Sequence, residues 1–167
     1  LTVPDAVCDG TYIDLTKPEV IFYEVPAISE GWEMYSGSWR SFDPNVVLTM
    51  TDHGRLLRYV VRTQCGVSYS DTIEISMRAK PNIPAITSPH DKFEVCVNNT
   101  APFYLENTMK GGKWRNSDTL THVDSISGHV TGKYPGTSII YYVVTNSDGC
   151  TDSTSRMIAV NQPPSVR

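Results

Sequence analysis

Four cysteines, Cys8, Cys65, Cys96 and Cys150, carry the most constraining chemistry in this chain of 167 residues. None belongs to a C-x-x-C pair and none stands near a histidine at zinc-ligand spacing, so oxidation to disulfides is expected ahead of metal binding. The alternative is a set of buried free thiols in a reducing compartment. Other reactive groups are scattered. His53, His90, His122 and His129 form no H-E-x-x-H, no serine sits in G-x-S-x-G, and "GGK" at 111–113 lacks the flanking residues of a phosphate loop. "HVD" places His122 and Asp124 on one face of an extended strand, where a solvated pair is the simpler reading. Asp148 and Asp152 in "SDGCTD" lack the oxygen series of a dedicated calcium loop. With no converging acid, base or nucleophile, the chain is expected not to be an enzyme, and to use no cofactor and no metal.

One segment has the composition of a recognition surface. In "ISEGWEMYSGSW", residues 28–39, Trp32, Met34 and Tyr35 lie in a glycine-rich stretch and would make a platform for a sugar ring or a partner protein. The alternative is that they cover a sheet edge or pack at a domain junction. Nucleic acid is not an expected partner, because a net charge of −4 and 14 dispersed basic residues give no cationic patch. No apolar run approaches the ~20 residues of a membrane-spanning helix, so direct membrane insertion is not expected. The start at Leu1 and the closing "NQPPSVR" read as cuts from a longer chain.

The elements that position these residues repeat. "VCDGT" at 7–11 and "VCVNNT" at 95–100 open two copies. "GSWRS" at 37–41 answers "GKWRN" at 112–116, and "YVVRTQC" at 59–65 answers "YVVTNSDGC" at 142–150. The period is that of a small domain. Two tandem domains are therefore expected, 1–80 and 81–167, joined through "AKPNIPAITSP" at 79–89, whose prolines favour an extended connector. If each copy folds alone, Cys8 pairs with Cys65 and Cys96 with Cys150. Each bridge would close a loop of roughly 55 residues, worth about 4 kcal/mol in the chain-entropy account.

Short Val, Ile, Thr and Tyr runs bounded by Gly, Pro, Asn and Asp indicate an all-β chain, most simply a sandwich. "TIEISM" at 72–77 alternates, with Ile73 and Ile75 on one face. "TSIIYYVVT" at 137–145 is apolar on both faces, as suits a central strand, and Asn146–Gly149 supply its hairpin turn. The matched contexts of Trp39 and Trp114, like those of Tyr59 and Tyr142, point to repeated core positions.

The second copy, with its Val-Cys opening, Trp114 after glycines, "GHVTG" at 128–132 and the Asn-Ser-Asp-Gly-Cys hairpin, resembles the immunoglobulin-like repeats of large Bacteroidota surface proteins, including gliding and adhesion proteins exported by the type IX route. The likeness spans about residues 84–161. Copy one departs from it, with 13 extra residues before Trp39 and no "VTG" step. The resemblance implies two immunoglobulin-like sandwiches in an extracellular or cell-surface protein, serving as spacer, stalk or adhesion module beside sister modules of the same parent. A recognition module for glycan or protein, attached to an exported hydrolase, is the alternative. Antibody-type domains are disfavoured, since the tyrosine two residues before the second cysteine is Thr63 in one copy and Asp148 in the other. The triplets at 71–73, 118–120, 124–126 and 152–154 resemble the O-glycosylation motif of the same exported proteins, which makes Thr72, Thr119, Ser125 and Ser153 candidate acceptors. The alternative is chance in a Ser/Thr-rich β-protein.

Overall fold

The β-branched and tyrosine-rich runs become strands. In the computed structural model, which describes residues 6–13, 15 and 26–164, the helix among the described residues is limited to two 3-10 turns, Met50–Asp52 and Pro89–Asp91. The protein is all-β. Packing divides the chain into two compact units, Leu1–Ala79 and Lys80–Arg167.

The first unit contains β1 (Val7–Cys8), β2 (Ser29–Tyr35), β3 (Trp39–Phe42), β4 (Leu56–Thr63), β5 (Gly66–Tyr69), β6 (Ile73–Glu74) and β7 (Met77–Arg78). β2 lies between β3 and β4, β4 continues to β5, and β6 takes the other end of β4. β7 leaves that sheet and runs parallel to β1, with Cys8 opposite Arg78. Residues 66–78 thus act as one closing strand that pairs first with β4, through β5 and β6, and then changes partner to β1. The expected alternation holds through the break: Ile75 is fully buried and Ile73 partly, while Thr72, Glu74 and Ser76 face solvent. One face of β2 and β4 sends Trp32, Met34, Leu57, Tyr59 and Val61 into a core shared with Val7, Ile13, Leu48, Ile75 and Met77. The period of two puts Glu33, Tyr35, Arg58, Val60 and Arg62 on the opposite face.

The second unit builds two sheets from β8 (Glu94–Cys96), β9 (Phe103–Tyr104), β10 (Lys113–Asn116), β11 (Thr121–Val123), β12 (His129–Gly132), β13 (Gly136–Thr145) and β14 (Thr151–Asn161). One sheet has the order β10-β13-β14-β8 and the other β11-β12-β9. All neighbours are antiparallel except β8, which runs parallel to β14. Upstream, Thr87 bridges Glu106, so the opening segment first touches the chain just past β9 and then crosses to the other sheet as β8. With β10, β13 and β14 as the C, F and G strands and β9, β12 and β11 as B, E and D, this is the layout of an immunoglobulin-like sandwich.

The segment read as a connector is packed from Ile83 onward. Ile86 is buried in the second unit's core, Ile83 rests against it, and Asn107 Nδ2 donates to the Pro84 carbonyl at 2.8 Å. β13 is central, as its two apolar faces imply. Ser138, Ile140, Tyr142 and Val144 are buried on one side, and Ile139, Tyr141 and Val143 are half-buried on the other. Its turn is held by Asn146, whose Oδ1 accepts from the backbone N–H of Asp148 and of Cys150, and Gly149 takes the positive φ of 81°. Two glycines are fixed by contact. A Cβ on Gly112 would stand 2.4 Å from the Tyr142 ring, and one on Gly128 would stand 2.5 Å from the Leu105 carbonyl oxygen.

Candidate functional site

The sequence-based platform is not a surface. β2 turns Trp32 and Met34 inward, leaving them 6% and 9% exposed, while Tyr35 points the other way at 40%. Trp32 lies directly opposite Tyr59 and meets it edge-on, with ring centroids 5.3 Å apart. Trp114 likewise lies opposite Tyr142, with the two rings tilted by 46° and their centroids 4.5 Å apart. Trp32, not Trp39, is therefore the counterpart of Trp114, and the shared Trp-Arg dipeptide was a misleading guide to register. The three residues proposed as one platform are divided between core and surface because adjacent strand residues face opposite ways.

Trp39 is half-buried on the outer face of the first unit, where β2 to β5 assemble a cluster that the sequence did not announce. The Arg58 guanidinium carbon lies 3.9 Å from the ring centroids of both Trp39 and Tyr69. Arg58 donates from Nε and Nη2 to Glu33 Oε2 at 3.0 and 2.8 Å, and Arg62 donates to Glu33 Oε1. Tyr35 extends the row, its ring 5.3 Å from that of Trp39. Burial raises the Glu33 pKa, but hydrogen bonds from Arg62 and Arg58 and their charges outweigh it and hold the carboxyl below its ordinary value. The buried carboxylate fixes two arginines, and the rings flatten one of them between aromatic faces. Such a fixed array of Arg, Trp and Tyr has the composition of a protein-recognition patch. Its signal was present as alternation in "GWEMY" and "LLRYVVRT", once the register is known.

The cysteines also depart from expectation. The disulfide-bonded cysteines are Cys8 and Cys150, whereas Cys65 and Cys96 are exposed free thiols. The pairing Cys8 with Cys65 and Cys96 with Cys150 is thereby overturned, and strand direction gives the reason. Because β8 is parallel to β14, Cys96 stands opposite Asn161, the last residue of β14, while Cys150 immediately precedes its first. At ~3.3 Å per residue the two are about 35 Å apart, far beyond the ~7 Å that a disulfide spans. In the first unit Cys8 stands opposite Arg78 at the end of the closing strand, and Cys65 lies in the turn that begins it.

The remaining candidates are surface or turn groups. Thr72, Thr119, Ser125 and Ser153 are all exposed. Asp124 Oδ1 accepts from the N–H of Ile126 and Ser127 and from Ser127 Oγ, and these bonds lower its pKa, with burial opposing and His122 adding a smaller favourable charge. Asp118 Oδ1 accepts from Leu120 N–H and from Ser138 Oγ, which is paired in turn with Thr121 Oγ1 in the core. Both acids organise turns. Among the described residues no group of three or more His, Cys, Asp and Glu side chains is arranged to hold a metal ion. No described helix is long and apolar enough to cross a membrane.

No family model and no curated protein matches the chain. Solved structures with similar layouts include the fibronectin(III)-like modules of Clostridium thermocellum CbhA, at 16% identity and TM-score 0.39, covering 96% of this chain and 94% of that one. A C-terminal 282-residue fragment of intimin, in complex with the intimin-binding domain of the translocated intimin receptor, matches at 17% identity and TM-score 0.36, covering 96% and 64%. Mouse cadherin-23 EC22-24 matches at 11% identity and TM-score 0.31, covering 96% and 63%. The chain thus spans just under two thirds of the latter two structures.

Proposed function

We propose that the chain is a pair of tandem immunoglobulin-like modules, bounded near residues 80 and 81, that act without catalysis as a spacer or adhesion element of an exported bacterial surface protein. The observation that carries this reading is the second unit's sandwich. Its strand order is immunoglobulin-like, and its buried side chains are spent on packing and turn geometry. A disulfide-bonded state of Cys8 and Cys150 supports an oxidising exterior. The parent is of the Bacteroidota type IX kind, a step that rests on the sequence resemblance. Thr72, Thr119, Ser125 and Ser153 are its glycan acceptors, a role their exposure permits; the intact mass of native material reads it.

Antibody raised against the chain should label unpermeabilised native cells or their released envelope fraction, and brief surface proteolysis should remove the signal. Labelling that requires permeabilisation would end the surface reading. A recognition role is favoured by one further observation, the Trp39–Arg58–Tyr69 stack, and replaces the platform centred on Trp32. Its ligand would be a protein with an acidic or planar polar surface rather than a sugar ring, because the aromatic faces here are occupied by Arg58.

A further inference from the structure

An open hollow of about 600 Å³ lies in the second unit, where the connection between β9 and β10 meets the turn between β11 and β12. Small-molecule sites usually span ~300–1,000 Å³. The wall of this one is held by hydrogen bonds. Asn107, 6% exposed, donates from Nδ2 to the Pro84 carbonyl and accepts at Oδ1 from Met109 N–H. The Tyr142 hydroxyl donates to the Met109 carbonyl at 2.8 Å and accepts from Gly112 N–H at 2.9 Å. Gly112 is thus pressed against Tyr142, whereas a Cβ on Gly111 would meet nothing within 4 Å and leaves the mouth open. The "GGK" stretch, too incomplete for a phosphate loop, lines this opening.

Several polar groups of the lining are left over after the fold is made. Trp114 is 6% exposed, yet its indole N–H has no acceptor among the described residues. No buried side-chain nitrogen or oxygen there lacks a partner, so this N–H is open to the hollow that Trp114 lines. The Lys113 ammonium, the Thr108 hydroxyl and the Glu106 carboxylate, on the same lining, have no side-chain partner among the described residues either. Lys110 reaches only the Asn107 carbonyl, at 3.4 Å. Two cations therefore face one carboxylate, in a chain whose net charge is −4. Beside them Ile126 is 84% exposed.

We propose that this hollow binds an acidic sugar, a hexuronate unit. Lys113 and Lys110 take the sugar carboxylate, the Trp114 N–H donates to a ring oxygen or hydroxyl, and Glu106, an acceptor only, takes hydroxyl protons. The apolar C–H face of the sugar rests on Ile126. A bare anion would be set against Glu106 with nothing to offer it. A peptide carboxyl terminus calls for a cradle of free backbone N–H groups, and the Gly112 N–H is already taken by Tyr142. The site belongs to the second unit alone and does not depend on the spacer role.

The test titrates the ¹⁵N-labelled full chain with D-glucuronate and D-galacturonate, with D-glucose, acetate and an N-acetylated dipeptide with a free carboxyl end as comparisons. The readout is the Trp114 indole N–H resonance, identified by its Overhauser contact with Gly128, whose Cβ would stand 2.9 Å from Nε1. At least one hexuronate should move that resonance saturably, and each comparison compound should bind on the order of tenfold more weakly. Lys110→Gln combined with Lys113→Gln, both at exposed positions, should leave the melting temperature unchanged and weaken hexuronate binding on the order of tenfold. No movement with either hexuronate, an equal response to glucose, acetate or the dipeptide, or full binding by the double variant would overturn the proposal. Surface labelling of cells reads export and this titration reads the hollow, so either can fail alone.

Discussion

Replacing Trp32 and Trp39 separately by alanine decides which tryptophan belongs to the first unit's core. Trp32 is 6% exposed, packs among Met34, Leu57, Tyr59 and Ile75, and meets the Tyr59 ring edge-on at 5.3 Å. Truncating a buried aromatic costs about 3–5 kcal/mol, and loss of the ring pair accounts for about 0.5–1.5 of that order. A domain of this size has a net stability of only about 5–15 kcal/mol and loses roughly 4–8 °C of melting temperature per kcal/mol. Trp32→Ala should therefore lower the first unit's transition by about 12 °C or more. Trp39 is half-buried and stacks on an arginine that Glu33 holds independently. Its removal should cost about 1 kcal/mol or less. Differential scanning calorimetry, with hydrogen exchange to assign each transition to a unit, measures both. Equal shifts, or a larger one for Trp39→Ala, would refute the register that pairs Trp32 with Tyr59.

Thiol accessibility separates the cysteines. Cys65 and Cys96 should take up iodoacetamide in the native protein without reductant, while Cys8 and Cys150 should be alkylated only after reduction and unfolding, as read by peptide mass spectrometry. Acid should destabilise both units. Glu33 and Asp118 have folded pKa values below their ordinary 4.5 and 3.8, in each case because hydrogen bonds to the carboxylate outweigh the opposing effect of burial. A depressed folded pKa contributes stability that is complete above the unfolded value and disappears as pH falls through the folded one. Urea midpoints should hold down to about pH 5 and then fall through pH 4 and below. Glu33→Gln should flatten that fall in the first unit alone.

The strands were readable where composition and turn chemistry agree. Residues 137–145 are apolar on both faces and are followed by Asn146 and Gly149, and they form the central β13 with its side-chain-bonded turn. Trp114, Tyr59 and Tyr142 were readable as core from the matched contexts of the two copies, and all three are buried. Trp39 was misread because "GSWRS" and "GKWRN" look alike while sitting on different strands, β3 and β10. In a period of two, one wrong register reverses which rings are buried. The cysteine partners were unreadable for a different reason. Spacing along the chain carries no record that β1 and β8 run parallel to the closing strands, and that direction alone sends paired-looking cysteines to opposite ends of a module. The outer cluster of Glu33, Arg58, Trp39 and Tyr69 required residues from four strands, which alternation places on one face without saying which will touch.

β3 and β10 each span four residues and carry Arg40, Lys113 and Arg115, and β8 spans three. Those margins are short, but β8 pairs only with Ala159–Asn161, so Thr151–Met157 of β14 is a longer margin with free amides and carbonyls. Along that stretch the charged side chains of Asp152 and Arg156, rather than brevity, would keep molecules crowded side by side from zippering into fibrous aggregates.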